Sequence, residues 1–467
     1  MMTLKFPWLR RVLDILWISL LIFYVLIGVP QVPFHGDEST LIYTTHDYAY
    51  QFIDRDLSMV TYNGNPAIDP MLQDLRLLDG RVHKYLSGLF WHLAGYTTAD
   101  LNQPWLWGTD WNYNLTNGHI PSDGLLLVTR LASAVLMAVG VVAMFGIGMH
   151  LDGRITAYAA SAFYALNPAL LVNGRRSMME GALMGFSLLT VLAGLYLIRA
   201  YREHNPQRGW FTRLLPTLLL GLAAGMTLSS KHTGLLVVGM IFGALGSYLL
   251  FDFFRQPSAL KTHALKTIGG LIFAGIIAVI IFYAMNPAWW GDPIGRVRLV
   301  ASMRTDLLNN QMNIFGQYPD FPTRLVGFWR QMMVGTPMYY ESPDWANFIG
   351  GQITTYEASP WRGLAPGESL FGVIFLSGLI AGGLAQLLLR DSQRLAERWI
   401  VGVWAIGMIV IVFIVTPLEW QRYYLPAIMP LCLLAGIGVG YFWDQVKVRR
   451  QINPKHDMLV TGETVIK

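Results

Sequence analysis

Residues 12–30, VLDILWISLLIFYVLIGVP, are followed five residues later by His35-Gly36-Asp37-Glu38-Ser39-Thr40. The apolar run is long enough to cross roughly 30 Å of hydrocarbon. Lys5, Arg10 and Arg11 precede it as they would in a signal peptide, but Pro30-Gln31-Val32-Pro33 offers no small-residue cleavage pattern, so the run reads as an uncleaved first span. Two adjacent carboxylates then stand where the chain leaves the bilayer. Carboxylates anchor poorly at a membrane surface but serve well as general bases and as holders of hydroxyl groups. The plainer alternative is an acidic loop that only keeps the segment out of lipid.

Composition agrees with that start. The 467 residues are 54% hydrophobic and 13% charged, where a soluble domain carries about 25% charged residues. The formal charge of +5 would suggest nucleic acid in a soluble chain; here the basic residues fall in short loops beside apolar runs, which is the mark of membrane topology. Cys432 is the single cysteine and lies inside an apolar run, so neither a disulfide nor a cysteine metal site is available.

Outward from the first run, further spans are predicted near 125–149, 155–172, 177–199, 213–230, 232–251, 266–286, 369–389, 397–416 and 420–443. The third and fifth are short or interrupted, so the all-α polytopic fold has about ten transmembrane helices, within a range of nine to eleven. With ten spans, every basic group in the short loops falls on one side: Lys5, Arg10 and Arg11; Arg154; Arg199, Arg202, Arg208 and Arg213; Arg255, Lys261 and Lys266; Arg390, Arg394 and Arg398; Lys447, Arg449, Arg450 and Lys455. The positive-inside rule then puts both termini and the 444–467 tail in the cytoplasm. Two long loops, 31–124 and 287–368, face the other side within one 1–467 membrane domain.

The unusual chemistry gathers on that outer side. The first loop carries Asp37 and Glu38 and an amphipathic segment, Lys84 to Leu93, that is expected to lie along the interface with Phe90 and Trp91 among the headgroups. The second loop opens with Asn286-Pro287-Ala288-Trp289-Trp290-Gly291-Asp292-Pro293 and is dense in aromatics, which suit either sugar faces or an interfacial belt. Arg175 and Arg176 break the positive-inside rule just ahead of Glu180, itself either a functional carboxylate or a favourable charge at a helix N-terminus. Lys231 and His232, in Leu228-Ser229-Ser230-Lys231-His232-Thr233-Gly234-Leu235, have no room for a solvated loop. A cation held there suits a lipid phosphate, or snorkels to headgroups. Arg422 lies in the last outer turn.

Taken together these motifs resemble the GT-C glycosyltransferases that use polyprenyl-phosphate sugars, within the branch of the protein O-mannosyltransferases (family 39) and the aminoarabinose transferases of lipid A. The resemblance is carried by Asp37-Glu38, by Arg176 through Glu180, by Ser229-Ser230-Lys231-His232-Thr233-Gly234, close to the Ser-x-Lys-x-x-Gly segment of the O-mannosyltransferases, and by Arg422-Tyr423-x-Leu-Pro426. It covers spans one to six and the last two, and is weak in the second long loop. The chain departs from eukaryotic O-mannosyltransferases in having a second loop too short for a folded repeat domain, and from some lipid A relatives in having no sizeable soluble domain after the last span. A bacterial or archaeal source is expected on that ground.

The resemblance implies transfer of a sugar, a mannose-like hexose or a relative of one, from a polyprenyl-phosphate donor to an extracytoplasmic protein, lipid or glycan acceptor. Asp37 would act as base in one inverting displacement and Glu38 would hold the acceptor or a sugar hydroxyl. Arg176, Lys231, His232 and Arg422 would meet the leaving phosphate, with Arg175 and Glu180 completing the substrate-binding set. No cofactor is implied, since the lipid-linked donor is itself a substrate. A metal held by His232 or His35 with a carboxylate is compatible, but no spacing demands one. The competing reading is a transporter or flippase of a lipid-linked sugar, which predicts ionisable or broken-helix sites near the bilayer midplane and matching halves; a non-catalytic scaffold leaves the outward cations unexplained.

Overall fold

A computed structural model describes residues 7–62, 69–202, 211–255, 261–389 and 394–452. Lys5, Arg208, Arg390 and Lys455, and residues 453–467 of the expected tail, lie outside the described residues. Helix α1 (Pro7–Ile27) leads into a long loop bearing α2 (Gly36–Tyr43), α3 (Pro70–Leu78) and α4 (Arg81–Leu93). Next come α5 (Asp123–Leu151), α6 (Arg154–Ala165), α7 (Pro168–Arg175), α8 (Glu180–Arg202), α9 (Phe211–Ser230), α10 (Gly234–Arg255) and α11 (Lys261–Met285). A second long loop bears α12 (Pro293–Phe315), α13 (Phe321–Trp329) and α14 (Ala346–Glu357), and α15 (Leu370–Leu389), α16 (Leu395–Val415) and α17 (Gln421–Ile452) follow.

Among the described residues, nine helices are long and apolar enough to cross a membrane, or ten if α6 and α7 form one span bent by 59°. The bend has a local cause. Pro168 brings no backbone N–H to the ladder, and the Asn167 side chain accepts from Leu170 N at 3.1 Å, so a new helix starts there. The predicted spans therefore all appear, the third as a broken one.

The spans pack around a core in which Tyr164, Met137 and Trp404 are fully buried. Helix α8 lies hard against α5 because Gly181 lacks a side chain: a Cβ there would stand 2.2 Å from the Ser133 carbonyl oxygen. This contact fixes the height of Glu180, one residue before it. At one end of the bundle the predicted short basic loops converge. Arg154 pairs with Asp14 at 3.0 Å, Arg398 lies 3.9 Å from Asp152, and Arg394 bonds the Leu151 carbonyl.

The two long loops fold onto each other at the opposite ends of these helices. Phe34 N donates to Gln352 Oε1 at 2.9 Å, and Arg176 bonds carbonyls of both loops, Pro33 at 3.2 Å and Tyr339 at 2.7 Å. One expectation fails here. Within the segment from Lys84 to Leu93, Trp91 does not lie among headgroups: it is wholly buried and its indole N–H donates to Thr45 Oγ1 at 2.9 Å, while Leu89 and Leu93 of the same helix are exposed. The reason is Asp47, buried between Arg76 and Arg81 at 2.7 Å from each, which neutralises charge inside α4's packing face. An amphipathic pattern alone does not separate a headgroup surface from a buried ionic one.

Candidate active site

Helix α2 starts at the site. His35 is its N-cap: Nδ1 accepts from Asp37 N at 3.1 Å, while Glu38 Oε2 accepts from His35 N at 3.1 Å, a reciprocal capping arrangement. Successive residues on a helix turn by about 100°, so the two acidic neighbours point in different directions.

Glu38 points inward. Arg130 meets it with two bonds of 2.7 Å, Ser177 N donates to it at 2.8 Å, and it is fully buried. Both oxygens are thus occupied, and burial, which pushes its carboxyl up, is outweighed by the Arg130 guanidinium, which holds it down. The expected role for Glu38 as holder of an acceptor or sugar hydroxyl is corrected: it clamps α2 to α5 and to the turn before α8.

Asp37 points to the open side, with a quarter of its side chain exposed, and ion-pairs with Arg422 Nη1. Glu341, from the second loop, stands on the other side of the same guanidinium, 3.5 Å from Nη2, and takes a 2.7 Å contact from His35 Nε2. Burial pushes Asp37 up, but Arg422 and then His35 pull it below the ordinary aspartate range. Glu341 is likewise held well below the usual carboxylate range, its burial outweighed by His35 and Arg422.

Lys231 directly follows α9 and turns inward as well, meeting Glu180 Oε1 at 2.5 Å. Burial of its side chain rules out snorkelling to headgroups. The Lys231 ammonium and the Arg422 guanidinium each lie 5.9 Å from the centre of the Tyr423 ring, so both cations share one tyrosine. The turn that carries Lys231 is braced by Gly80, where a Cβ would stand 1.8 Å from the Ser230 carbonyl oxygen.

Beside these groups lies a groove of about 190 Å³. Its lining combines Lys231, His232, Arg304 and Tyr423 with apolar side chains that include Leu236, Leu307, Met408, Val412 and Val415. His232 donates through Nε2 to the Leu77 carbonyl at 2.8 Å, and burial, then Arg304, pushes it down to about 4. With no anion beside it among the described residues, the ring is therefore held in its neutral form at pH 7.

Arg175 and Arg176 are corrected too. Arg175 lies away from the groove and bonds Val25 O at 2.8 Å, Tyr24 O at 2.6 Å, Tyr356 Oη at 2.9 Å and the Trp361 carbonyl. Arg176, nearly fully buried, fastens the two loops as described above. Sequence reasoning missed Arg304 and Glu341. A cation on an otherwise outward helix was the available signal for Arg304, while Glu341 sits in a loop without periodicity. Among the described residues no group of three His, Cys, Asp or Glu side chains is placed to hold a metal ion.

The nine or ten candidate spans thus carry a cluster of carboxylates and cations beneath two folded loops. Residues 83–287, somewhat under half of the chain, match the family described as dolichyl-phosphate-mannose-protein mannosyltransferase. Among solved structures, the Archaeoglobus fulgidus oligosaccharyltransferase in complex with zinc and sulfate is 13% identical with a TM-score of 0.51, covering 94% of this chain and 51% of that one. ArnT from Cupriavidus metallidurans bound to undecaprenyl phosphate is 15% identical, TM-score 0.47, covering 91% of this chain and 59% of that one. The Saccharomyces cerevisiae Pmt1–Pmt2 complex bound to the sugar donor is 16% identical, TM-score 0.41, covering 61% and 34%. The chain thus spans between a third and three fifths of these proteins' lengths, and at these identities the likeness concerns the fold. No curated protein matches the sequence.

Proposed function

We propose that this chain is a glycosyltransferase that moves a mannose-like hexose from a polyprenyl-phosphate donor to a hydroxyl group of an extracytoplasmic acceptor. The observation that carries the reading is the groove: its lining is mostly apolar but includes the cations Lys231 and Arg304, and its Tyr423 ring lies 5.9 Å from the Arg422 guanidinium that pairs with Asp37, the one acidic side chain of α2's first turn that is open to solvent. A prenyl chain fits the apolar part, and Lys231 and Arg304 suit the phosphate. The match of residues 83–287 to a family described by its dolichyl-phosphate-mannose donor supports the same reading.

In the reaction, the Asp37 carboxylate takes the acceptor's hydroxyl proton as the oxygen attacks the anomeric carbon. The bond from that carbon to the phosphate oxygen breaks, its electrons leave with the polyprenyl phosphate, and the configuration inverts. Arg422 has a double position. With the site empty it pairs with Asp37; a phosphate arriving across Tyr423 competes for it, which weakens the hold on Asp37 and makes it a stronger base while charge develops on the leaving group.

The purified chain with a polyprenyl-phosphate mannose and a mixed acceptor extract is expected to release polyprenyl phosphate in proportion to sugar transferred. Turnover of a nucleotide sugar with no lipid carrier present would overturn the donor assignment. The termini are assigned to the cytoplasm and the site to the outside, from the basic loops. Accessibility tags at positions 205 and 392 are accordingly expected to report cytoplasm, and tags at 60 and 320 the outside; an outside signal at 205 would reverse the site's sidedness.

A further inference from the structure

Four tryptophans from the two long loops meet at one point beside the carboxylates. Trp345 is buried and is the hub: Trp105, Trp107 and Trp111 lie 5.2, 5.4 and 5.3 Å from it, ring centre to ring centre. Trp105 is buried as well, but Trp107 is 49% exposed. Its ring stacks on Trp345 at an interplanar angle of 23°, so a buried indole supports a ring that is half open to solvent. The same ring lies 6.0 Å from His35, whose Nδ1 is 3.9 Å from Asp37 Oδ2.

An aromatic belt would distribute such rings around the bundle at the height of the headgroups. These converge instead, and a half-exposed indole on a rigid apolar support next to a charged site is the pattern of a recognition surface. Its surroundings select among ligands. Glu341 bonds His35, and exposed Asp344 precedes Trp345 in the same turn. With Asp37 these carboxylates repel a lipid phosphate and are poor neighbours for an acyl chain. A neutral pyranose ring satisfies both features: its C–H face covers an indole, and its hydroxyls donate to carboxylates.

Resting on the transferase reading, we propose that Trp107 is an acceptor subsite on which a pyranose ring stacks, so that the acceptor is a saccharide, in a glycan or glycolipid, rather than a bare polypeptide. The stacked ring brings a neighbouring hydroxyl to Asp37 while the donor occupies the groove on the far side of Arg422.

The test uses the full chain in phospholipid nanodiscs, free of glycosidic detergent, with saturation-transfer NMR on methyl α-D-mannopyranoside, methyl β-D-glucopyranoside, methyl α-D-galactopyranoside and an acetylated, amidated Ala-Thr-Ala peptide. At least one glycoside is expected to show transfer to its ring C–H protons. Trp107→Ala should weaken that binding about tenfold, and Trp107→Phe should retain most of it. Absence of glycoside binding to the parent, an unchanged signal in Trp107→Ala, or peptide binding that depends on Trp107 would each overturn the proposal. So would a parallel loss of polyprenyl-phosphate mannose binding in Trp107→Ala, which would give the platform to the donor's sugar. Transfer assays keep the two readings apart: Trp107-dependent glycoside binding with no transfer from any lipid donor sinks the transferase reading alone, whereas transfer to peptide that is indifferent to Trp107 sinks the platform alone.

Discussion

Asp37→Asn is expected to abolish most turnover while leaving the donor bound. The substitution keeps the size and the hydrogen-bonding reach of the side chain, and Glu341 remains beside Arg422, so the guanidinium is not left buried with no anion. What disappears is the proton acceptor. Removing a general base typically lowers the rate by about a hundred- to ten-thousand-fold, or about 3–5 kcal/mol of transition-state free energy. The pH profile of the parent carries the same signature. Arg422 and His35 outweigh burial and hold Asp37 below the ordinary aspartate value, so it stays ionised above that depressed value. The acid limb of kcat/KM accordingly falls below the usual aspartate range. Arg422→Gln removes the larger of the two downward pulls and should move that limb to higher pH. Near-normal single-turnover rates in folded Asp37→Asn, measured by release of polyprenyl phosphate, would transfer the base to another group. Glu341 is the nearest carboxylate on the same guanidinium.

The comparison between Asp37 and Glu38 shows where the sequence stops being legible. The apolar runs named every span, including the interruption that became the break at Pro168, because span length and proline chemistry are local properties. The pair of carboxylates was also visible, as was the oddity of Arg175 and Arg176 on the outer side. Which of two adjacent acids faces inward is not local. Arg130 decides it, ninety-two residues away. The two arginines proved to be fasteners for the same kind of reason: apart from the Tyr356 hydroxyl, the partners named above are backbone carbonyls at Tyr24, Val25, Pro33, Tyr339 and Trp361, groups every residue possesses and no pattern marks. Glu341 was illegible because a loop without periodicity gives no direction for a side chain until the two long loops are seen to meet. The aromatic residues of those loops were legible as a composition, but not as a convergence on Trp345.

Lys231→Met separates a phosphate holder from a simple counter-ion, provided its partner is treated with it. In the single variant, Glu180 loses the contact to Oε1, and its Oε2 is already buried with no hydrogen-bond partner among the described residues. An uncompensated buried carboxylate costs about 3–5 kcal/mol, so the single variant should melt at a distinctly lower temperature, and a loss of activity in it would prove little. Lys231→Met combined with Glu180→Gln removes both charges and should recover most of the lost melting temperature. Donor affinity should not recover. A charge-assisted hydrogen bond to a phosphate is worth about 1.5–3 kcal/mol, so the double variant is expected to bind polyprenyl-phosphate mannose some ten- to hundredfold more weakly, with a further loss in rate because the leaving group's charge grows in the transition state. Measured by equilibrium binding of a labelled donor in nanodiscs, parental affinity in the double variant would mean that Lys231 serves only to neutralise Glu180. Arg304 would then be left as the cation of the groove's lining that meets the phosphate.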